Sequence, residues 1–250
     1  MYRIVIPARY GSARLPGKPL IEIAGRPMIA WVYERARQCK AAEVVIATDD
    51  ERIASVGRAL GADVQMTSAA HPSGTDRVAE VAMHRGWADD SIVVNLQGDE
   101  PAMPSELVGQ VAALLQAHPA AAIATLSAPL ANEHELQDPN VVKVVTDLAG
   151  RALYFSRAPI PHERDRGVGA GLARRHLGLY AYRVGALRQL TAWAASPLEH
   201  TEKLEQLRAL EHGLEIRVAE AVSRAGPDVN TAEDLKRAAA ALSAAVRTDQ

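Results

Sequence analysis

Several absences narrow this sequence before any of its motifs do. A single cysteine, Cys39, occurs in 250 residues, which excludes an internal disulfide framework and any cysteine-based zinc or iron–sulfur site. Neither charge dominates: 28 Lys and Arg face 30 Asp and Glu, for a formal net charge of −2. No overall basic field therefore draws in DNA, RNA or anionic lipid. No run approaches the ~18 apolar residues that a membrane span needs, and the N-terminus carries no charged-then-apolar leader. The expectation is a protein of the reducing cytoplasm with no nucleic-acid partner and no membrane insertion. Two common phosphate motifs are missing as well. Five residues separate Gly11 from Gly17 where the Walker pattern has four, and Lys18 is followed by Pro19 instead of Ser or Thr. A dinucleotide-binding GxGxxG is absent, as are internal repeats and long disordered linkers.

What is present is an ordinary globular composition, 48% apolar and 23% charged, in a chain long enough for one α/β domain with an excursion. Strand-like and helix-like patterns alternate through the first half. The strands are Ile4–Ile6, Glu43–Asp50, Asp63–Met66 and Ser91–Pro101; the helices are Met28–Cys39, Glu51–Gly61, Thr75–Arg85 with Thr75 as its cap, and Pro104–His118. That alternation predicts a mostly parallel sheet with helices on both faces. After about residue 120 the pattern changes. Strand patterns at Ala122–Leu126, Val141–Thr146, Ala152–Phe155 and His176–Tyr182 come with few helices between them, and Pro161–Arg175 reads as a loop. The stretch 140–195 is therefore expected to form a small antiparallel excursion that carries substrate contacts, a dimer interface or both. A helix at Leu198–Glu211, a strand at Glu215–Val222 and a helix at Thr231–Ala245 complete the chain.

The stretch Ile4–Leu20 is the first candidate site. Its loop holds Gly11 and Gly17 and three cations, Arg9, Arg14 and Lys18, with no acid. Glycines let a backbone approach a ligand closely, and clustered Arg and Lys suit a polyphosphate; the bland alternative is a surface loop of solvated cations. Asp99, in QGDEP, follows a buried strand and falls on the same sheet edge. A carboxylate there suits Mg²⁺, which takes oxygen ligands together with substrate phosphates, whereas the bland reading makes it a cap for the helix near Pro104. Glu100 is the second carboxylate at that point.

Taken together, PARYGSARLPGKPL, ATDD (47–50), HPSGTDR (71–77), NLQGDEP (95–101), YFSRAPIP (154–161), HLGLYAY (176–182) and LEQLRALEHG (204–213) resemble the sugar-nucleotide cytidylyltransferases, in particular the branch that activates the acidic sugar 3-deoxy-manno-octulosonate (Kdo). The resemblance runs nearly end to end. It implies a Rossmann-like sheet of the nucleotide-diphospho-sugar transferase type and a reaction of CTP with Kdo giving CMP-Kdo and pyrophosphate. It also implies Mg²⁺ as cofactor, a homodimer and a role in lipopolysaccharide assembly. Residue by residue, it places nucleotide contacts on Ala8, Arg9, Gly11, Ser12, Lys18, Ser73, Gly74, Arg77 and Gln97. Sugar contacts fall on Arg77, Gln97, Arg157, His176, Tyr180, Glu205 and Gln206. Charge neutralisation during transfer falls to Arg14 and Lys18, with Asp99 holding the metal. Without the family, HPSGTDR reads as a helix cap with a solvated arginine. The family's second metal ligand is an aspartate in V-D-T-P-E-D-L, where this chain has Val229-Asn230-Thr231-Ala232-Glu233-Asp234-Leu235. Asp228 lies two residues before Asn230 and so on the same side of an extended segment; the two are expected to share the role. Two alternatives stay open: a cytidylyltransferase for another acidic sugar, such as sialic acid or an amino-modified Kdo, and a nucleotide-binding module that has lost catalysis.

Overall fold

The computed structural model describes residues 1–11, 15–165 and 172–248. In chain order the elements are β1 (Tyr2–Ala8), the short hairpin β2 (Glu22–Ile23) and β3 (Arg26–Pro27), α1 (Met28–Arg37), β4 (Val44–Thr48), α2 (Glu51–Ala59), β5 (Asp63–Met66), α3 (Gly74–His84), β6 (Ile92–Asn95), α4 (Ser105–Ala117) and β7 (Ile123–Pro129). Then come α5 (Glu133–Gln137), β8 (Lys143–Thr146), β9 (Ala152–Ser156), β10 (Arg174–Arg183), α6 (Val184–Ala192), α7 (Pro197–Glu202), α8 (Gln206–Glu211), β11 (Ile216–Glu220) and α9 (Ala232–Thr248). The main sheet runs β11-β7-β10-β6-β1-β4-β5, with β8 added at one end of β10 and β9 on β8.

The apolar runs of the central strands bury both faces, and their alternation sorts the core into two layers. Ile4 and Ile6 of β1, Ile46 of β4 and Ile92 and Val94 of β6 pack with α1 and α4. Val5, Val45 and Val93, one residue out of step, pack with α3 and α6 on the other face. A third, smaller cluster holds Ile23, Met28 and Trp31 against Val229 and against Ala238 and Leu242 of α9. No helix among the described residues is long and apolar enough to cross a membrane.

The α/β expectation holds, with five local corrections. Ser73, not Thr75, caps α3, its side chain accepting from the Asp76 N–H. The single helix expected over Leu198–Glu211 is two, α7 and α8, broken at Lys203, a non-glycine residue in the left-handed region at φ 55°. The excursion is smaller than 140–195: β10 is a full member of the main sheet, antiparallel to both β6 and β7, and only the β8–β9 hairpin branches from the main strand order, attached through β10. Of the expected loop Pro161–Arg175, residues 166–171 lie outside the described residues, while Arg174 and Arg175 already belong to β10. The segment before α9 that holds Asp228 and Asn230 is not a strand.

Candidate active site

The carboxyl ends of β1, β4 and β6 open on one edge of the sheet, where a parallel α/β sheet places its ligands. After β1 the chain loops out and returns at Gly17, whose N–H donates to the Tyr10 carbonyl at 3.0 Å. Gly17 has φ 70°, and a Cβ there would sit 3.1 Å from the Tyr10 ring, so the return needs glycine on both counts. It delivers Lys18, whose Nζ donates to Asp99 Oδ2 at 2.6 Å and to Asn230 Oδ1 at 3.3 Å. Arg14 and Ser12 lie outside the described residues.

Asp99 reaches this point because β6 lies beside β1 and Gly98 allows the two chains to close up. A Cβ on Gly98 would stand 2.8 Å from the Pro7 carbonyl oxygen. Asn230 is brought in from the far end of the sequence by its neighbour: the Val229 N–H donates to the Asp99 carbonyl at 2.9 Å, and the Val229 side chain is buried under α9. Asp228 faces Asn230, not the cavity, accepting from its Nδ2 at 2.6 Å. That contact turns the Asn230 oxygen toward Lys18.

Around these groups lies a cavity of about 280 Å³, lined among others by Ala8, Arg9, Lys18, Ser73, Gly74, Arg77, Gln97 and Asp99. Gly11 is not among its lining residues. Arg77 is 2% exposed and fixed by the Thr67 hydroxyl and by Asp49 Oδ2 at 3.0 Å, so its charge is presented from a rigid mount. A second cavity of about 100 Å³ is lined by Thr75, Asn95, Tyr180, Tyr182, Glu205 and Gln206 and shares Gln97 with the first. Gln97 donates to Asn95 Oδ1 at 3.1 Å. Burial pushes the Glu205 carboxyl and both tyrosine hydroxyls above their ordinary pKa values. A cavity lined by hydrogen-bonding side chains thus adjoins one that carries Arg9, Lys18 and Arg77.

Two of the expected sugar contacts stand elsewhere. His176 lines neither cavity. Burial lowers its pKa to about 3, and its Nε2 is 3.0 Å from the Thr125 hydroxyl, so it is a neutral hydrogen-bonding ring. Arg157 also lies outside both cavities, its guanidinium donating to the carbonyls of Glu202 at 2.7 Å and Pro139 at 2.8 Å. Tyr182 and Asn95 were not singled out from the sequence. Both stand two residues from a residue that was, Tyr180 and Gln97 respectively, and i, i+2 spacing on a strand was the signal available.

The expected Mg²⁺ can be tested against these groups. Asp99 and Asn230 both place an oxygen on one cationic point, now the Lys18 ammonium. Glu100, next to Asp99, has a buried Oε2 without a hydrogen-bond partner and a pKa pushed well up by burial, then by Asp99 and Asp228. The oxygen-only donor set fits Mg²⁺. Among the described residues no three His, Cys, Asp or Glu side chains form a metal-holding group.

The family model for cytidylyltransferases matches residues 3–216. The 3-deoxy-manno-octulosonate cytidylyltransferase of Halorhodospira halophila is 53% identical over 248 residues, 96% of each chain. The enzyme of that name from Pseudomonas fluorescens is 53% identical over 243 residues, 94% of this chain and 96% of that one. Among solved structures, CMP:2-keto-3-deoxy-manno-octonic acid synthetase complexed with CTP matches at TM-score 0.90 and 43% identity, over 98% of this chain and 100% of the other. A cytidylyltransferase from Leptospira borgpetersenii, 19% identical at TM-score 0.60, shares the fold. With this likeness along more than nine-tenths of its length, the chain belongs to the cytidylyltransferase family of nucleotidyltransferases, among the 3-deoxy-manno-octulosonate cytidylyltransferases.

Proposed function

We propose that the protein transfers the cytidylyl group of CTP to the anomeric hydroxyl of Kdo, giving CMP-Kdo and pyrophosphate. The observation that carries the reading is the pair of cavities meeting at Gln97, one carrying Arg9, Lys18 and Arg77 and the other lined by hydrogen-bonding side chains. The relatives' names and the CTP-bound neighbour support the same assignment of substrates. In the reaction the sugar oxygen forms a bond to the α-phosphorus, the bond from that phosphorus to the bridging oxygen breaks, and the hydroxyl proton is released. Such a transfer asks the protein for positioning and charge neutralisation more than for covalent chemistry.

Lys18, Arg9 and Arg77 supply the positive charge on the cavity wall, with Arg14 assigned to the same task from its place in the loop. Ser73 and Gly74, at the start of α3, present main-chain groups to the pyrimidine end of the nucleotide. Gln97 reaches both substrates, and Tyr180, Glu205 and Gln206 bond the sugar hydroxyls. Asp99 and Asn230 would hold Mg²⁺, with Asp228 fixing the Asn230 amide; when bound, the ion polarises the phosphate and lowers the hydroxyl pKa. The exposed Leu148 and Leu153, around the β8–β9 hairpin, suit a homodimer contact. The setting we infer is the cytoplasm, as an activating step for lipopolysaccharide assembly.

The test is pyrophosphate release from CTP, UTP or GTP in the presence of Mg²⁺ and Kdo, sialic acid or an amino-modified Kdo. Turnover confined to CTP with Kdo is the expected result. Faster turnover with another acidic sugar would replace the substrate, and CTP binding without turnover on any sugar would overturn the reaction.

A further inference from the structure

One buried cation has no part in the reading so far. Lys143, the first residue of β8, is fully buried. Its ammonium donates to the main-chain carbonyls of Asp138 at 2.9 Å, Val141 at 2.6 Å and Arg157 at 2.6 Å. All three of its donors are thereby used, with no carboxylate among the acceptors. Arg157 extends the arrangement. Its guanidinium donates to the carbonyls of Pro139, Glu202 and Lys203, and its N–H donates to the Glu202 carboxylate at 2.9 Å. The same carboxylate accepts from the Ser156 hydroxyl at 2.6 Å. Three separate stretches of chain, 138–141, 156–157 and 202–203, are thus gathered by two cations acting almost wholly on main-chain oxygens.

The third stretch leads into the second cavity. Lys203 holds φ 55°, a conformation that a non-glycine residue keeps only when its surroundings fix it. Glu205 and Gln206, which line the cavity, follow at once. A second connection leaves the same hairpin: the Phe155 ring meets His176 edge-on at 5.0 Å, His176 lies 5.3 Å from Tyr180, and Tyr180 stacks on Tyr182 at 5.7 Å. Both tyrosines line the second cavity. None of the residues gathered by Lys143 and Arg157 lines the first.

We propose that Lys143 is a positioning residue for the second cavity. By holding the 138–141 turn and the Arg157 carbonyl around one ammonium, it fixes Arg157, through Arg157 the left-handed turn at Lys203, and through that turn the placement of Glu205 and Gln206. The inference rests on the reading of that cavity as the acid-sugar half of the site, and its consequence is selective: loss of Lys143 weakens one substrate and leaves the other.

The experiment compares the full-length protein with Lys143→Met, which keeps the length of the side chain and removes its donors. Expected is a rise of about tenfold in KM for Kdo while KM and the calorimetric Kd for CTP stay within about twofold. Lys143→Arg, which restores charge and donors, recovers part of the loss. Ser156→Ala, at the other end of the network, gives a smaller shift in the same direction and decides the matter alone if Lys143→Met does not fold. An unchanged KM for Kdo in a folded variant, or an equal weakening of both substrates, overturns the proposal. Hydrogen exchange supplies a readout independent of turnover: the amides of 203–207 exchange faster in the variant while those of β1 do not, and unchanged exchange at 203–207 refutes the positioning role. Failure of the underlying reading looks different, since the unsubstituted protein would then release no pyrophosphate from CTP and Kdo.

Discussion

Gly98→Ala is the sharpest single perturbation of the site, because its effect follows from one distance. The added Cβ would lie 2.8 Å from the Pro7 carbonyl oxygen, with Ala8 Cβ and Cα at 3.5 and 3.7 Å behind it. Both obstacles belong to β1, the buried centre of the sheet, and no flexible side chain can swing away to relieve them. The β6 end must therefore move off β1 by roughly half an ångström, an overpacking strain of about 1–3 kcal/mol. For a chain of this length that corresponds to a fall in Tm of about 2–4 °C per kcal/mol. The larger effect is on chemistry. Gly98 lies between Gln97, which touches both cavities, and Asp99, which meets Lys18 at 2.6 Å. A displacement of that size in a phosphoryl-transfer site lowers kcat/KM by about one to two orders of magnitude. Thermal melts and continuous pyrophosphate-release kinetics on the same preparations check both numbers. Wild-type turnover with an unchanged melt would refute the argument that Gly98 sets the contact between the two strands.

Other expectations are simpler. Asp99→Asn abolishes turnover while circular dichroism and the melt stay near those of the parent; near-normal CMP-Kdo formation would remove Asp99 from the metal role. Gln97→Ala raises KM for CTP and for Kdo together, by about tenfold each, because the side chain lines both cavities; an effect on one substrate alone would separate them. His176 has its folded pKa lowered to about 3 from 6.5 by burial, so the unfolded chain takes up a proton in that window and the folded one does not. Its effect on stability is nil above pH 6.5 and becomes a loss of about 1 kcal/mol per pH unit as the pH falls toward 3. Urea titrations of wild type and His176→Gln at pH 7 and pH 5 should therefore converge as the pH falls, and parallel curves would contradict it.

The part of the site built from strand ends was legible in the sequence. Ile4–Ile6 and the run before Gln97 are buried strands with cations after one and a carboxylate after the other, and parallel pairing puts both on one edge. The parts that were not legible depend on partners that a linear reading does not supply. HLGLYAY is strand-like whichever neighbour it takes, so its antiparallel place between β6 and β7 was hidden. Arg157 reads as an available cation because nothing local shows that distant carbonyls already hold it. Likewise Lys203 has no glycine to mark the break between α7 and α8, which tertiary hydrogen bonds impose. Asp228 and Asn230 were placed together correctly in space, but as a pair in which one orients the other.

The place of β10 in the sheet bears on how the molecule is made. β7 never bonds β6; the two are joined only through β10, whose residues 174–183 leave the ribosome about fifty positions after β7 is complete. Until then β6 presents an unpaired edge beside an already formed β5-β4-β1 half, and β7 has no neighbour on either side, since β11 is synthesised later still. Such open edges are templates for pairing with other chains. Much of the second cavity's lining therefore waits for the last third of synthesis: Tyr180 and Tyr182 arrive with the strand that closes the gap, and Glu205 and Gln206 soon after it. A nascent chain halted before residue 174 carries much of the nucleotide half of the site but lacks both the sugar half and the strand that keeps its sheet from recruiting a stranger.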